Sequence, residues 1–339
     1  MAIKNSLLKI GLTYDLRDDY LAEGYTEEET AEFDGADTID GLEEALVYQG
    51  GYAVHRIGNI KSLVSRLAAG ERWDMVFNIA EGLIGFGREG QIPSLLEAYR
   101  IPYTFSDSLV LSLTLHKGMT KHVVRSLGIP TPDFIVLNTP EDLPKAALPF
   151  PLFVKPVAEG TGKGIDAASK VSSPQALDQV LRRLMSAFRQ PVIVETYLSG
   201  REFTVGIAGT GNDAVVLGVA EIFLKDRAER DAYSYLNKEH YEDRVEYRLA
   251  DEADTAKAEE IALAVWRGLG CRDGGRVDLR ADADGRLFFL EINPLAGLHP
   301  RRSDLPIICK LKDISYHKLI GLIMDSAWKR HGGARKDAT

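Results

Sequence analysis

Two carboxylates and a carboxamide sit close together in the last third of the sequence. Asp278 lies in one alternating run, Arg276 to Ala281, and Glu291 in a second, Leu287 to Ile292, with Asn293 just after it. Asp284-Gly285 between the runs reads as a tight turn, which makes the pair a hairpin. Side chains alternate across a strand. Val277, Leu279 and Ala281 therefore share a face with Phe288, Leu290 and Ile292, and Arg276, Asp278 and Arg280 share the other with Phe289, Glu291 and Asn293. Such an oxygen-rich face suits a hard divalent cation, which takes one or two carboxylates plus substrate phosphates. A charged hairpin facing water has the same composition.

A glycine-rich segment comes earlier. Lys155-Pro156 closes an apolar run, and Glu159-Gly160-Thr161-Gly162-Lys163-Gly164 follows. It is not a Walker loop, because Gly164 stands where Ser or Thr is required after the lysine. Ile165 to Ala168 reads as another strand. The segment is then a flap between strands, able to close over phosphates as in kinases, or an ordinary hairpin loop. Further on, Val192 to Leu198 carries Glu195, Tyr197 and Leu198 at a strand end, with Glu202 opening the next strand. A strand end of this kind can read an adenine edge through its backbone, and Glu202 can bond ribose hydroxyls. Two strands with polar caps are the plainer alternative.

In order, Lys117, Lys155, the glycine segment, Glu195 with Glu202, Asp278 and Glu291-x-Asn293 resemble an ATP-grasp ligase. More narrowly the chain is similar to the D-alanine–D-alanine ligase family, from about Leu7 to Trp328. Ile101-Pro-Tyr-Thr104, Lys117-x-x-x-Lys121, Gly128-Ile-Pro-Thr-Pro132, Gly200-Arg-Glu-Phe-Thr-Val205, Gly275-Arg-Val-Asp278 and Leu290-Glu-Ile-Asn293 carry the likeness. The resemblance implies a three-domain α/β fold: an N-terminal parallel-sheet domain (1–115), a central lid (116–199), a catalytic domain (200–330) and a tail (331–339). It implies ATP held between the last two domains with Mg2+, or Mn2+ in its place. Lys117, Lys155 and Lys238 match phosphate-contacting lysines. Glu159, Gly160, Thr161, Gly162 and Gly164 match the flap, and Glu195, Tyr197, Leu198 and Glu202 the adenine and ribose contacts. Asp278, Glu291 and Asn293 match the metal ligands. Arg276 and the Gly297 amide match the group that stabilises a tetrahedral intermediate. A homodimer in the cytoplasm, acting on a small carboxylate and an amine, is implied as well.

The substrate half departs from the family. The loop after the first strand, Leu12 to Arg17, lacks the family's Gly pair and glutamate, and Asp15 is the substitute on offer. Glu81 stands where the family has histidine, and either holds a substrate ammonium or caps the neighbouring structure. After Asn293 the loop is rewritten, with His299, Arg301 and Arg302 adding positive charge before Ser303. They either form a solvated, rearranged loop or bind an extra carboxylate or phosphate. Three functions stay open: a carboxylate–amine ligase with substrates other than two D-alanines, a genuine D-alanine–D-alanine ligase, and a nucleotide-binding scaffold without activity.

The elements that must position these residues are legible. Leu7–Leu12, Tyr52–Ile57 and Met75–Phe77 read as strands, alternating with helices at Ile39–Gln49, Lys61–Ala69 and Gln91–Tyr99. That alternation predicts an open parallel sheet. The acidic run Thr26 to Asp34 reads as an exposed loop or solvated helix. Ser173-Pro174 starts a helix, Asp254–Leu269 is an amphipathic helix ended by Gly270, and a last helix spans Tyr316 to Lys329. The chain of 339 residues can bury a large core, and 45% hydrophobic with 27% charged residues excludes disorder. With 41 basic against 50 acidic residues, no duplex nucleic acid is expected as partner. Cys271 and Cys309 are too few for a disulfide framework, and Ile10–Leu12 is too short for a membrane span or signal sequence, so a cytoplasmic protein is expected.

Overall fold

The computed structural model describes residues 7–145, 147–225 and 241–332. Its first sheet is parallel, with β1 (Lys9–Thr13) between β2 (Ala53–Gly58) and β3 (Met75–Asn78). Parallel neighbours need crossover connections. After the short α1 (Arg17–Ala22), α2 (Ala36–Gly50) leads from β1 to β2, and α3 (Ile60–Ala68) from β2 to β3. α2 stops because Gly51 adopts φ 58°, a left-handed cap. Then come α4 (Gln91–Ala98), α5 (Ser108–Leu115) and α6 (Lys117–Ser126).

The second sheet is antiparallel. It contains β4 (Phe134–Leu137), β5 (Leu152–Pro156), β6 (Lys170–Val171) and β7 (Val192–Thr196), in the order β4-β7-β5-β6. α7 (Pro174–Phe188) covers it, capped by the Ser173 hydroxyl, which accepts from the Ala176 N–H. The strand expected at Ile165–Ala168 is displaced to Lys170–Val171. The Asp166 carboxylate accepts from the Ala168 N–H, and the Ser169 hydroxyl accepts from the Asp166 N–H. These local bonds close a short 3-10 turn at Ala167–Ser169 in place of extended backbone.

The third sheet has five antiparallel strands in the order β10-β9-β8-β11-β12. They are β8 (Glu202–Ala208), β9 (Val215–Leu224), β10 (Val245–Leu249), β11 (Gly274–Ala281) and β12 (Leu287–Asn293). α8 (Glu252–Leu269) packs Ala258, Ala262, Val265 and Trp266 onto one face. α9 (Asp304–Leu311) lies on the other, where Gly206 and Gly218 leave room for Leu305 and Ile308; a Cβ at either glycine would meet them at 2.9 Å. α10 (Tyr316–Arg330) buries Leu319, Ile320 and Ile323 in one core with Ile39, Leu42 and Leu46 of α2, so the ends of the chain share a core.

Hairpin β11–β12 differs from strict alternation. Asp278 pairs with Glu291, but Leu279 pairs with Phe289, so Leu290 is an extra residue. This bulge puts Leu287, Phe289 and Ile292 on the buried side and turns Leu290 to the other face with Glu291. The acidic run is solvated only in its first half: Thr26 to Glu29 are exposed, whereas Thr30, Ala31 and Phe33 are buried, and Arg17 donates to the carbonyls of Thr30 (3.2 Å) and Ala31 (2.8 Å).

Asp273 ties the first and third sheets together. Its carboxylate accepts from the Phe105 N–H at 2.8 Å, the Ser326 hydroxyl at 2.8 Å and the Thr210 hydroxyl at 3.1 Å, and it pairs with Arg330 at 2.7 Å. Removing one partner of a buried ion pair strands the other. Asp273→Ala is expected to cost about 3–5 kcal/mol, read as a lower urea midpoint with an unchanged slope.

Candidate functional site

The β11–β12 register sets Asp278 opposite Glu291 and Arg276 opposite Asn293. Asn293 donates its amide N–H to Asp278 at 3.3 Å. Arg276 pairs with Asp278 at 2.6 Å and with Asp304, at the start of α9, at 2.9 Å. Facing this hairpin are two lysines from the second sheet's side. Lys117 opens α6 and Lys155 ends β5, and their ammonium groups stand 3.7 and 3.9 Å from Glu291. Lys117 also donates to the Glu159 carbonyl at 2.5 Å.

Behind them Glu195 pairs with Lys155 at 3.4 Å and with Lys121 at 3.1 Å, all three side chains being nearly sealed from water. Desolvation pulls the Lys117 and Lys121 ammonium groups below the usual lysine value, Lys121 to about 8. For Lys155 desolvation pulls the same way, but Glu195 and Glu291 outweigh it and hold the group above that value. The hairpin's oxygens therefore face a fixed positive wall.

A cleft of about 70 Å3 opens between the second and third sheets. Phe153, Ile165, Ile222 and Leu290 form its apolar walls, and Lys155, Glu202, Asp278 and Glu291 its polar ones. Leu290 reaches it because of the bulge. Glu202 pairs with Arg280 at 3.2 Å, which also donates to the Tyr197 hydroxyl at 3.2 Å. Glu195, Tyr197 and Leu198 lie behind the cleft rather than along its walls. Gly164 closes the glycine segment at φ 72°, where a Cβ would strike Pro156 at 2.7 Å and Phe188 at 2.8 Å.

A second cavity, about 80 Å3, adjoins the first. Lys117, Arg276, Glu291, Asn293 and the backbone of Gly297 line it from one side, Gly160 and Thr161 of the glycine segment from another, and Glu81 from the first sheet's side. Beyond Gly297 lies a third, about 260 Å3, lined by Arg17, Asp34, Thr161, His299, Arg302 and Ser303. Ser303 accepts from the His299 N–H at 2.9 Å. The His299 ring accepts from the N–H groups of Arg301 and Arg302 and meets Asp37 at 2.8 Å; Arg302 reaches the same carboxylate at 3.0 Å. Asp37, on α2, thus meets the positive charge of this loop. Arg301 points outward and lines neither cavity.

Asp15 is corrected. It is buried, one oxygen accepting from the Tyr20 hydroxyl at 2.5 Å and the other from the Gly82 N–H at 2.8 Å, and it lines neither cavity. It anchors the loop that carries Glu81. Lys238 lies outside the described residues.

The residue that sequence reasoning missed is Glu32. Its carboxylate, 7% exposed, pairs with Arg88 at 2.9 Å and Lys163 at 3.4 Å and accepts from the Gly160 N–H at 2.5 Å. Burial alone would raise its pKa, but Arg88 and Lys163 outweigh it and keep the group ionised far below the usual range. Glu32 thereby clips the glycine segment to the first sheet's side. The signal was available: Ala31 and Phe33 flank it inside an otherwise acidic run, and the Phe33 ring packs tilted against Tyr20 with centroids 4.5 Å apart.

Asp278, Glu291 and Asn293 offer only oxygen ligands for a cation, which fits magnesium rather than a soft metal. Among the described residues no three acidic, histidine or cysteine side chains converge as a metal cage. A cation here would complete its shell with phosphate oxygens and water.

The family model described as "D-ala D-ala ligase C-terminus" matches residues 123–325. A D-alanine–D-alanine ligase of Aquifex aeolicus is 35% identical over 253 residues, covering 74% of this chain and 81% of that protein. The chain belongs to the D-alanine–D-alanine ligase family. It is an ADP-forming ligase of the ATP-grasp type. A crystal structure of a D-alanine–D-alanine ligase from Bacillus anthracis complexed with ATP shares its fold, with TM-score 0.69 and 21% identity over 98% of this chain and all of that one. So does the VanG D-Ala:D-Ser ligase from Enterococcus faecalis, with TM-score 0.70 and 20% identity over 95% of this chain and all of that one. Among the described residues no helix is long and apolar enough to cross a membrane.

Glu32→Ala removes the ion-pair partner of buried Arg88 and leaves Lys163 with Glu159 alone. The expected result is a loss of about 3–5 kcal/mol and faster tryptic cleavage after Lys163, a bond the closed segment protects.

Proposed function

We propose that this ligase joins the carboxylate of one small substrate to the amine of another through an acyl phosphate, with magnesium and ATP, and that its pair is not two D-alanines. The observation that carries the reading is the meeting of Lys117, Lys155 and Glu291 beside Arg276 and the Gly297 N–H, at the junction of two small cavities. The purine lies between Phe153, Ile222 and Leu290, with Glu202 toward the ribose. The phosphates run toward Lys155 and Lys117 under the glycine segment. Asp278, Glu291 and Asn293 would hold the cation, which neutralises phosphate charge when bound.

The substrate carboxylate oxygen attacks the γ-phosphorus and ADP leaves. Lys117 and Lys155 balance charge that spreads over the transferring group, so the protein contributes position and electrostatics. The amine nitrogen then attacks the acyl carbon. Negative charge grows on the former carbonyl oxygen, facing Arg276 and the Gly297 N–H. Phosphate departs, the nitrogen loses a proton, and an amide remains.

The altered pocket supports substrates other than two D-alanines: Asp15 is withdrawn from the cavity, and Glu81 enters it. The names of the relatives favour D-alanine as the second reading. A cytoplasmic homodimer is carried over from the family resemblance.

ADP release with magnesium and ATP, across amino acids of both hands singly and in pairs, tests this. Turnover with a pair other than two D-alanines is expected. Asp278→Asn and Glu291→Gln should each lower kcat at least a hundredfold; wild-type rates in both would refute the metal assignment, and turnover on D-alanine alone would favour the second reading.

A further inference from the structure

The cavity beyond Gly297 contains a cation that none of the roles above employs. This cavity shares Thr161, Arg276 and Gly297 with the one that Glu81 lines, so the two meet at the group assigned to the tetrahedral intermediate. Two copies of one small substrate would need equal room on the two sides. The side beyond Gly297 has about 260 Å3 against about 80 Å3 on the other. Most of the charge around the larger cavity is already answered. Arg276 is engaged by Asp278 and Asp304, Glu32 by Arg88 and Lys163, and Arg302 shares Asp37 with His299.

Arg17 is the exception. Its Nε donates to the Thr30 carbonyl at 3.2 Å, its Nη2 to the Ala31 carbonyl at 2.8 Å and its backbone N–H to the Asp34 carbonyl at 3.0 Å. These bonds fix a half-buried guanidinium on the cavity wall. Among the described residues Arg17 makes no ion pair, and its Nη1, with two N–H donors, has no partner. Carbonyls supply dipoles and no charge, so no carboxylate answers this cation at contact distance. A guanidinium held this way suits a carboxylate or a phosphate. Two further carboxylates line the same cavity. Asp18 is exposed. Burial pushes Asp34 up to about 6, against the pull of the Thr38 hydroxyl, Arg17 and Arg302 and with Asp37 adding to the rise. Asp34 therefore gives up its charge readily when another anion arrives, and a protonated carboxyl donates a hydrogen bond to it.

We propose that Arg17 binds a second acid group, a carboxylate or a phosphate, carried on the side chain of the amine substrate, and that Arg17 is a specificity-determining residue. The amine enters the larger cavity with its nitrogen toward Gly297 and Arg276. The Ser303 hydroxyl accepts from the His299 N–H and keeps a hydrogen to donate, which suits one acid group, and Arg17 takes the other. The substrate class is an acidic amino acid or an amino acid phosphate ester, and an alanine-sized amine leaves Arg17 unanswered. This rests on the ligase reading for which cavity takes the amine.

Calorimetric binding to the enzyme loaded with magnesium and a non-hydrolysable ATP analogue tests it without turnover. The probes are aspartate, glutamate and O-phosphoserine of both hands, each against its uncharged counterpart, asparagine, glutamine or serine. The carboxylate and phosphate arms tell the two acid groups apart. At least one acidic probe should bind, and its counterpart at least about tenfold more weakly. Arg17→Gln should abolish that preference while leaving the analogue's affinity unchanged, which also reports that the variant is folded. Arg17→Lys should recover part of it. Equal binding of the counterparts, an unaltered preference in Arg17→Gln, or no acidic probe binding at all would overturn the proposal. Reading ADP with ATP in place of the analogue, and the same probes as amines beside a panel of amino acids, separates the two readings. Selective binding without ADP would remove the ligase and leave the anion site; ADP release indifferent to the side-chain acid group would leave the ligase and remove the site.

Discussion

Charge buried in a protein must be paired, and where three sheets of this chain meet there is a great deal of it. Lys117, Lys121, Lys155, Arg88 and Arg276 converge with Glu32, Glu195, Glu291 and Asp278 in a region almost closed to water. Removing one member leaves its partner unpaired in a medium of low dielectric, at a cost of several kcal/mol. Each sheet contributes some of the partners, so the charges come to rest only when the sheets are correctly apposed. The same low dielectric strengthens whatever these groups do to a polyphosphate. Stability and chemistry draw on one network.

The flap shows this most clearly. Gly160 and Lys163 are held from across the cleft by Glu32, which Arg88 in turn orients. The segment that would cover the phosphates is thus fastened to the part of the chain that carries Glu81 and Glu89. The glycine segment and the first sheet's side are therefore held by the same contacts.

Much of this was legible in the sequence. Strand–helix alternation announced the parallel sheet, and Ser173-Pro174 announced α7. The residues proposed to face the nucleotide were readable because cation and phosphate binding demand particular side chains at particular strand ends. Other features were hidden for physical reasons. A bulge at Leu290 moves one residue out of register, and period-two alternation has no means of signalling it. Asp166 uses its carboxylate locally and delays β6. Glu32 looked like one more solvated acid, since its partners Arg88 and Lys163 are remote in sequence. Asp15 has suitable chemistry in a suitable place, but it is buried and each of its oxygens is engaged, one by a hydroxyl and one by a backbone N–H.

The central claim is that the oxygen of one substrate's carboxylate is transferred to phosphorus within this charged cleft. Labelling that carboxylate with oxygen-18 tests it directly. The account predicts one labelled oxygen in each phosphate released alongside the amide. Phosphate carrying only solvent or ATP oxygen would contradict it.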